Sequence, residues 1–303
     1  MIGINVGIFH DDALGRDLGK RGSQTDILFF NRKMDDHIFT FLQPRNDEII
    51  PKSQILSVID TAILSVGELS PSVGETILML DAMKINEGLV VSDAPEVVKP
   101  LVKGTSLESF EFVKRDPTSI IEMLKLMNPS RDTSSPTTVV IDQSFNVKGV
   151  GDVALGFVKR GVLRKYDKLM LLPPEKEIVV KSIQVHDKDF EEAAPGMRVG
   201  VAVKGASVDD MRRGSILSKD DSIKVGDVVE VSFEPNKFYT NFKEGAYHLT
   251  VGMQSLPVNV EIVSNNRILL RCGRKIAYRK DDVFVLLDLN GKKLRFVGAG
   301  HPI

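Results

Sequence analysis

The chain has 303 residues, a formal net charge of −1, and ordinary apolar and charged fractions of 42% and 27%, so it reads as soluble and globular with room for two or three domains. The longest apolar runs, around residues 62–66 and 169–172, fall far short of the roughly 20 residues that span a bilayer, and no basic leader precedes the strand-like N-terminus, so no targeting segment is expected. A single cysteine, Cys272, excludes an internal disulfide and favours a reducing compartment, with the cytosol as the expectation.

In chain order, residues 2–9 alternate as a strand, and residues 26–31 and 38–42 predict two more, arranged as a hairpin across the polar stretch 32–37. The pattern then becomes α/β. A short helix from about Lys52 leads into a buried strand at 62–66. A helix from Val73, with Ile77, Leu80 and Lys84 at spacings of three and four, leads to a strand at 88–92. Residues 95–103 predict a helix and 110–113 a strand. Asp116-Pro117 then caps and starts a helix with Ile120, Leu124 and Met127 on one face. Repeated βα units imply a mainly parallel sheet with helices on both faces.

Residues 128–136 are polar and end on a second proline, Pro136, which is linker chemistry, and a domain boundary is placed there. Helical periodicity stops beyond it. Short runs rich in Val, Ile and Leu predict strands at 138–141, 151–159, 168–172, 177–185 and 198–204. After a turn-rich break near 220–226, a further β set follows at 227–233, 247–253, 256–264, 267–274, 276–279 and 283–289. The expected domains are an α/β domain over 1–135 and two β-barrels over 137–222 and 223–303. Charge is uneven along this order. Residues 1–136 carry 14 Lys and Arg against 20 Asp and Glu, and the remainder 26 against 21. A polyanionic partner is therefore expected on the C-terminal part, although an imbalance between solvated faces explains the same counts.

The stretch Phe145-Asn-Val-Lys-Gly-Val-Gly-Asp-Val-Ala-Leu-Gly-Phe-Val-Lys-Arg-Gly161 resembles the second-domain signature of translational GTPases. Residues 180–205, Met211-Arg-Arg-Gly-Ser-Ile-Leu217, Leu269-Leu-Arg-Cys-Gly273 and Phe296-Val-Gly-Ala-Gly300 extend the likeness. Together they resemble the EF-Tu superfamily, most closely the SelB factors and the archaeal SelB-like proteins. The resemblance is strongest over residues 137–217 and weakest before 137. It implies a G-like α/β domain followed by two EF-Tu-like barrels. The glycines at 149, 151 and 156 are expected to permit tight turns and close backbone approach, which identifies a domain and not a reaction.

The family's nucleotide motifs do not follow. A phosphate loop needs Gly-x4-Gly-Lys-Ser/Thr, whose amides cradle phosphates, whose lysine neutralises them and whose hydroxyl holds magnesium. Here Gly15-Arg-Asp-Leu-Gly-Lys-Arg21 is one residue short and places Arg21 where the hydroxyl belongs. The Asp-x-Pro-Gly position is represented at best by Leu42-Gln-Pro-Arg45, and Val90-Val-Ser-Asp-Ala-Pro95 stands where guanine would be read. Ordinary GTP hydrolysis is therefore not expected, and neither is a cofactor. Gly19, Lys20, Gly22 and Ser23 form a glycine, basic and hydroxyl cluster, read either as a joining turn or as a remodelled anion site. His10-Asp11-Asp12 and Asp35-Asp36-His37 are a rival constellation. If they met, they would hold a hard divalent metal and support metal-assisted hydrolysis of a phosphorylated or RNA substrate. As polar turn residues, they would do neither.

Carried over by the resemblance, the aminoacyl-end pocket falls on Asp142, Gln143, Phe145, Gln184, His186 and Arg198. Several of these depart from the family: Gln143 stands where many elongation factors have an acid, Gln184 where they have glutamate, and Asp152 where threonine is usual. Phe145 also reads as a core side chain, and Arg198 as a surface partner of Glu191 or Glu192. Arg271, Arg274, Lys275, Arg279 and Lys280 form the densest basic run, read as an RNA-backbone contact, carried by the first four, or as charge protecting an edge strand. The expected function is that of a SelB/EF-Tu-related translation factor without GTPase activity. Its implied partner is tRNA or aminoacyl-tRNA, with the ribosome or another translation protein left open and no membrane. GTP binding without hydrolysis stays open as an alternative.

Overall fold

The computed structural model describes residues 1–303. Its N-terminal part is built on β1 (Ile2–Phe9), α1 (Leu14–Leu18), β2 (Lys20–Gln24), β3 (Ile27–Met34), β4 (His37–Pro44), α2 (Ile49–Leu56), β5 (Thr61–Ser65), α3 (Pro71–Ala82), β6 (Gly88–Val91), α4 (Pro95–Val102), β7 (Glu111–Val113) and α5 (Pro117–Leu126). The seven strands lie in the order β2-β3-β4-β1-β5-β6-β7. Pairing is parallel from β4 through β7 and antiparallel in the β2-β3-β4 meander. β1 is central and buried almost throughout, which explains its near-continuous apolar run. Ile4, Val6 and Ile8 pack with Leu14, Leu18, Phe39, Phe41 and Ile120 in one core. The helix starts follow local chemistry. Ser70 and Asp116 accept the amides of Val73 and Ser119, with proline at the first helical position of α3 and of α5.

The expected hairpin over residues 26–42 is present, with a tighter turn at Asp35-Asp36. Two short elements were not expected. Residues 14–18 form α1, and residues 20–24, read as a turn or anion loop, form the edge strand β2. No helix is long and apolar enough to cross a membrane.

The first barrel comprises β8 (Thr138–Val147), β9 (Gly151–Arg160), β10 (Leu163–Arg164), β11 (Lys168–Leu172), β12 (Lys176–Val185), β13 (Lys188–Phe190), β14 (Glu192–Ala193), β15 (Arg198–Lys204) and β16 (Ile216–Ser218). Its sheet runs β11-β16-β8-β9-β15-β12 and returns through β12–β11 pairing. Gly149 and Gly151 occupy positive φ in the β8–β9 hairpin. Gly156 has a different role: a Cβ there would lie 2.5 Å from the Val140 carbonyl oxygen on the paired strand. That glycine admits the barrel's own backbone.

The second barrel is closed by β17 (Lys224–Pro235), β18 (Gly245–Val251), β19 (Gln254–Ser264), β20 (Arg267–Tyr278), β21 (Phe284–Leu287) and β22 (Phe296–Pro302), in the order β17-β20-β19-β18-β21-β22. Residues 267–274 and 276–279, expected as two strands, are one strand, β20, whose residues between Arg271 and Ile276 take up the register shift against Gly226 and Val228 of β17. By contact density the chain divides into two units. One joins Met1–Pro129 with Glu234–Phe242 and Val285–Ala299; the other joins Ser130–Phe233 with Lys243–Phe284 and Gly300–Ile303.

Candidate functional site

Where β1 ends, a nucleotide-binding loop would aim free amides at phosphate. Here Asp11 Oδ1 accepts the backbone N–H of Ala13 at 3.0 Å and of Leu14 at 2.9 Å. Arg115 closes the far side, its Nε 2.6 Å from Asp11 Oδ2 and its Nη2 2.7 Å from Asp17. Burial works to raise the Asp11 pKa, but Arg115 and the two amides outweigh it and hold the carboxyl below its ordinary range. The chain thus supplies its own anion to the amides that open α1.

Gly19, Lys20, Gly22 and Ser23 do not form a phosphate cradle. Gly19 ends α1, its N–H donating to the Gly15 carbonyl. A Cβ at Gly19 or Gly22 would meet Asn31 of β3, at 3.0 Å from its backbone oxygen or 2.6 Å from its side-chain nitrogen. The glycines bring two strands together, and Lys20 pairs in register with Asn31.

Beside this loop, His10 is held in a buried polar cluster. Its Nε2 lies 2.8 Å from Thr76 Oγ1, and Lys52, fully buried on α2, reaches Thr76 at 2.8 Å, Asp47 at 2.7 Å and Ser72 at 3.4 Å. Asp47 comes from the turn after β4, where Asn46 and Asp47 both take positive φ. Burial lowers the His10 pKa and the Lys52 charge lowers it further, against Asp47 and Asp12. Burial likewise pulls Lys52 down against Asp47. All of the ammonium's donors are satisfied by the protein, so this lysine is a strut and not a free phosphate ligand. Next to it, buried Glu75 of α3 accepts from Arg295 Nη2 at 2.7 Å and Nε at 3.2 Å, and from the N–H of Arg295 and of Phe296.

The His10-Asp11-Asp12 and Asp35-Asp36-His37 triplets do not meet. β1 and β4 are parallel with Ile2 opposite His37, whereas His10 follows the other end of β1, roughly 25 Å away at about 3.3 Å per residue. Asp35 pairs with Lys125, His37 stacks on Phe39, and Asp12 accepts from Gln43. No group of three or more His, Cys, Asp or Glu side chains is gathered as a metal site needs.

In the first barrel the residues carried over from the family separate into three situations. Asp142 is the extra residue of a bulge in β8: Ile141 opposes Gly156 and Gln143 opposes Leu155 on β9. The bulge turns its carboxylate into the barrel wall, where Oδ2 accepts from Arg198 Nε at 3.0 Å and Nη2 at 2.7 Å. Asp142 is 2% exposed, and its Oδ1 has no protein partner. Arg198 also lies over the Phe157 ring, 6.0 Å from the centroid. It does not pair with Glu191 or Glu192, which are engaged by Lys165 and Arg164. Gln143 and Phe145 follow Asp142 on β8, and Phe145 is partly exposed. Gln184 instead donates to Asp189 across the β12–β13 hairpin, and His186 occupies its turn at positive φ.

Asp142, Gln143 and Ser144 line an open cleft of about 600 Å³ together with Val208, Asp209, Met211, Arg212 and Arg213. Arg213 Nε donates to the Asp142 carbonyl at 3.1 Å, and Ser144 Oγ to the Met211 carbonyl at 2.7 Å, so the loop carrying both arginines is tied to β8. Sequence reasoning missed this pair. The signal was Met211-Arg-Arg-Gly214, noted as barrel signature and not as charge.

The basic run on β20 is largely spoken for. Arg271 pairs with Glu261 at 2.5 Å, Lys275 with Glu175 at 3.6 Å, and Arg279 with Asp220 and Asp281. Arg274 donates to the Ser255 carbonyl, and burial with the nearby Arg212 charge lowers its pKa. Arg274 is the member of the run that lies near the cleft arginines.

Comparison with known proteins adds the following. The family pattern of elongation factor Tu domain 2 matches residues 151–218. An uncharacterized protein of Methanocaldococcus jannaschii is 37% identical over 308 residues, covering 99% of each chain. The selenocysteine-specific elongation factor of the same organism is 26% identical over 274 residues, covering 80% of this chain and 58% of that longer factor. Among solved structures, apo translation elongation factor SelB from Methanococcus maripaludis superposes with a TM-score of 0.82 at 24% identity, covering all of this chain and 80% of its own. At that identity the likeness is one of fold.

Proposed function

Because the chain belongs to the EF-Tu/SelB superfamily of translation factors, we propose that it is a translation-associated tRNA-binding protein that works without a GTP cycle. The observation that carries this reading is Asp11 seated on the amides of Ala13 and Leu14. A carboxylate already bound there repels a nucleotide phosphate and takes the donors it would use. Lys52, Ser72 and Thr76 bond to one another nearby, so the segment after β4 is held by side chains where a GTPase would rely on a γ-phosphate.

The binding function then rests with the first barrel. In its cleft, Gln143 and Ser144 offer hydrogen bonds to a base edge or a ribose hydroxyl, and Arg212 and Arg213 offer charge to a phosphate or ester. Asp142 and Arg198 act beneath them as positioning residues, paired through Asp142 Oδ2. Such a cleft suits the single-stranded aminoacyl end of tRNA, with the ribosome or another translation protein as a further partner of the complex. Filter binding of unfractionated tRNA to the full chain tests this. Arg213→Ala and Gln143→Ala are expected to weaken binding about tenfold each, the loss of one good polar contact. No retention of tRNA by the wild-type chain would sink the reading.

A further inference from the structure

Two loops of the second barrel, residues 236–242 after β17 and 288–295 after β21, are rigidly held yet expose apolar side chains. Tyr239 donates to Asp288 Oδ2 at 2.8 Å and ties one loop to the other. Asn236 accepts the Phe238 amide at 3.1 Å through its side chain and donates its own N–H to the Val297 carbonyl at 2.8 Å. In the second loop Asp288 bonds the Arg295 carbonyl through its N–H and the Asn290 amide through Oδ1. On this frame Phe238 is 62% and Leu289 47% exposed. Phe238 and Leu289, on loops tied to each other by Tyr239 and Asp288, leave two large apolar side chains in water on one ordered surface.

Three lysines lie on the same two loops as the ring. Lys237 lies 5.0 Å from the Phe238 centroid, and Lys292 and Lys293 project from the adjoining turn, exposed. None of the three lysines has a carboxylate partner, in contrast to Arg271, Arg279 and Arg295. The nearest loop carboxylate, Asp288, is engaged by Tyr239 and Asn290.

We propose that this surface binds an unpaired stretch of RNA, a base stacking on Phe238 beside Leu289 and the flanking phosphates meeting Lys292, Lys293 and Lys237. An exposed ring next to unpartnered cations is the pairing of features that single strands require. A duplex brings phosphates but hides its base faces, and a run of Asp and Glu brings charge but no aromatic ring to stack. The surface uses no side chain of the barrel cleft, so either assignment can fail alone.

The test is fluorescence anisotropy of a labelled oligouridylate of about 12 nucleotides, which has no aminoacyl end, with the full chain. Phe238→Ala should weaken binding at least fivefold, as the loss of one stacked base does, and Phe238→Tyr should retain it. Lys292→Ala/Lys293→Ala should flatten the dependence of log affinity on log salt by about 1.4, two contacts at roughly 0.7 each. Gln143→Ala is measured alongside, and a loss of oligomer affinity there with none in Phe238→Ala would place the strand in the barrel cleft and overturn the proposal. Equal affinity of wild type and Phe238→Ala would overturn the proposal. So would equal binding of a duplex of the same length, or displacement of the oligomer by polyglutamate, which would indicate an acidic protein partner.

Discussion

Asp142 and Arg198 show how a single bulge decides what two residues do. The carboxylate is almost fully enclosed and the guanidinium nearly so, and removing one partner strands the other charge. Asp142→Ala is expected to lower stability by about 3–5 kcal/mol, read as a drop in the thermal midpoint. Replacing both, with Asp142→Ala/Arg198→Met, should recover much of that loss because no charge remains unpaired. An unchanged midpoint in Asp142→Ala would show that the pair is not buried in solution. Both residues were singled out from the sequence, but as ligands of RNA. Their mutual pairing was not legible, because the bulge at Asp142 is set by the register of β8 on β9, which no local pattern encodes. Gln184 and His186 belong to a hairpin separated from β8 by β9 and β15, for the same reason: spacing along the chain did not reveal which strands are neighbours.

Among the elements, the loop into α1 carries the strongest expectation. Asp11→Ala removes the acceptor for two amides and the partner of Arg115, and should cost about 1 kcal/mol, the usual value of a helix-start cap, without creating affinity for GTP. The neighbouring cluster makes stability depend on pH. His10 has a lowered pKa, so the unfolded chain takes up a proton near the ordinary imidazole value of 6.5 that the folded chain resists. Stability should therefore fall as pH drops below 6.5 toward the lowered folded value, and be fully present above 6.5. His10→Asn should remove that part of the slope in urea titrations between pH 7 and 5. In the first barrel, Gly156→Ala should destabilise by about 1–3 kcal/mol, because its methyl would meet the Val140 carbonyl and a backbone atom gives way least. Long periodic elements such as β1, α3 and α5 were legible from burial pattern and caps. α1 and β2 were not. α1 has five residues, too few for a 3.6-residue period to show, and β2 is a polar edge, expected as a joining turn or an anion site, whose place depends on Asn31 of the next strand lying against Gly19 and Gly22.

For the molecule as a whole, the order of one α/β sheet and two barrels was readable from the shift in periodicity near residue 130 and from the motif at 145–161. How closely residues 285–299 associate with the N-terminal part was not, since it depends on a buried carboxylate 220 residues away in sequence, Glu75 holding Arg295. Glu75→Gln should lower stability by roughly 3 kcal/mol by leaving that guanidinium without its counter-charge, seen as an earlier midpoint in thermal unfolding. RNA binding by a translation-factor architecture with no nucleotide cycle is the proposal for the whole chain. Its test is calorimetric titration of the full chain with GTP, GDP and a non-hydrolysable analogue in the presence of magnesium, followed by tRNA titration with and without GTP. No heat of nucleotide binding and the same tRNA affinity in both conditions are expected. Saturable GTP binding that Asp11→Ala alters, or tRNA binding that requires GTP, would contradict it.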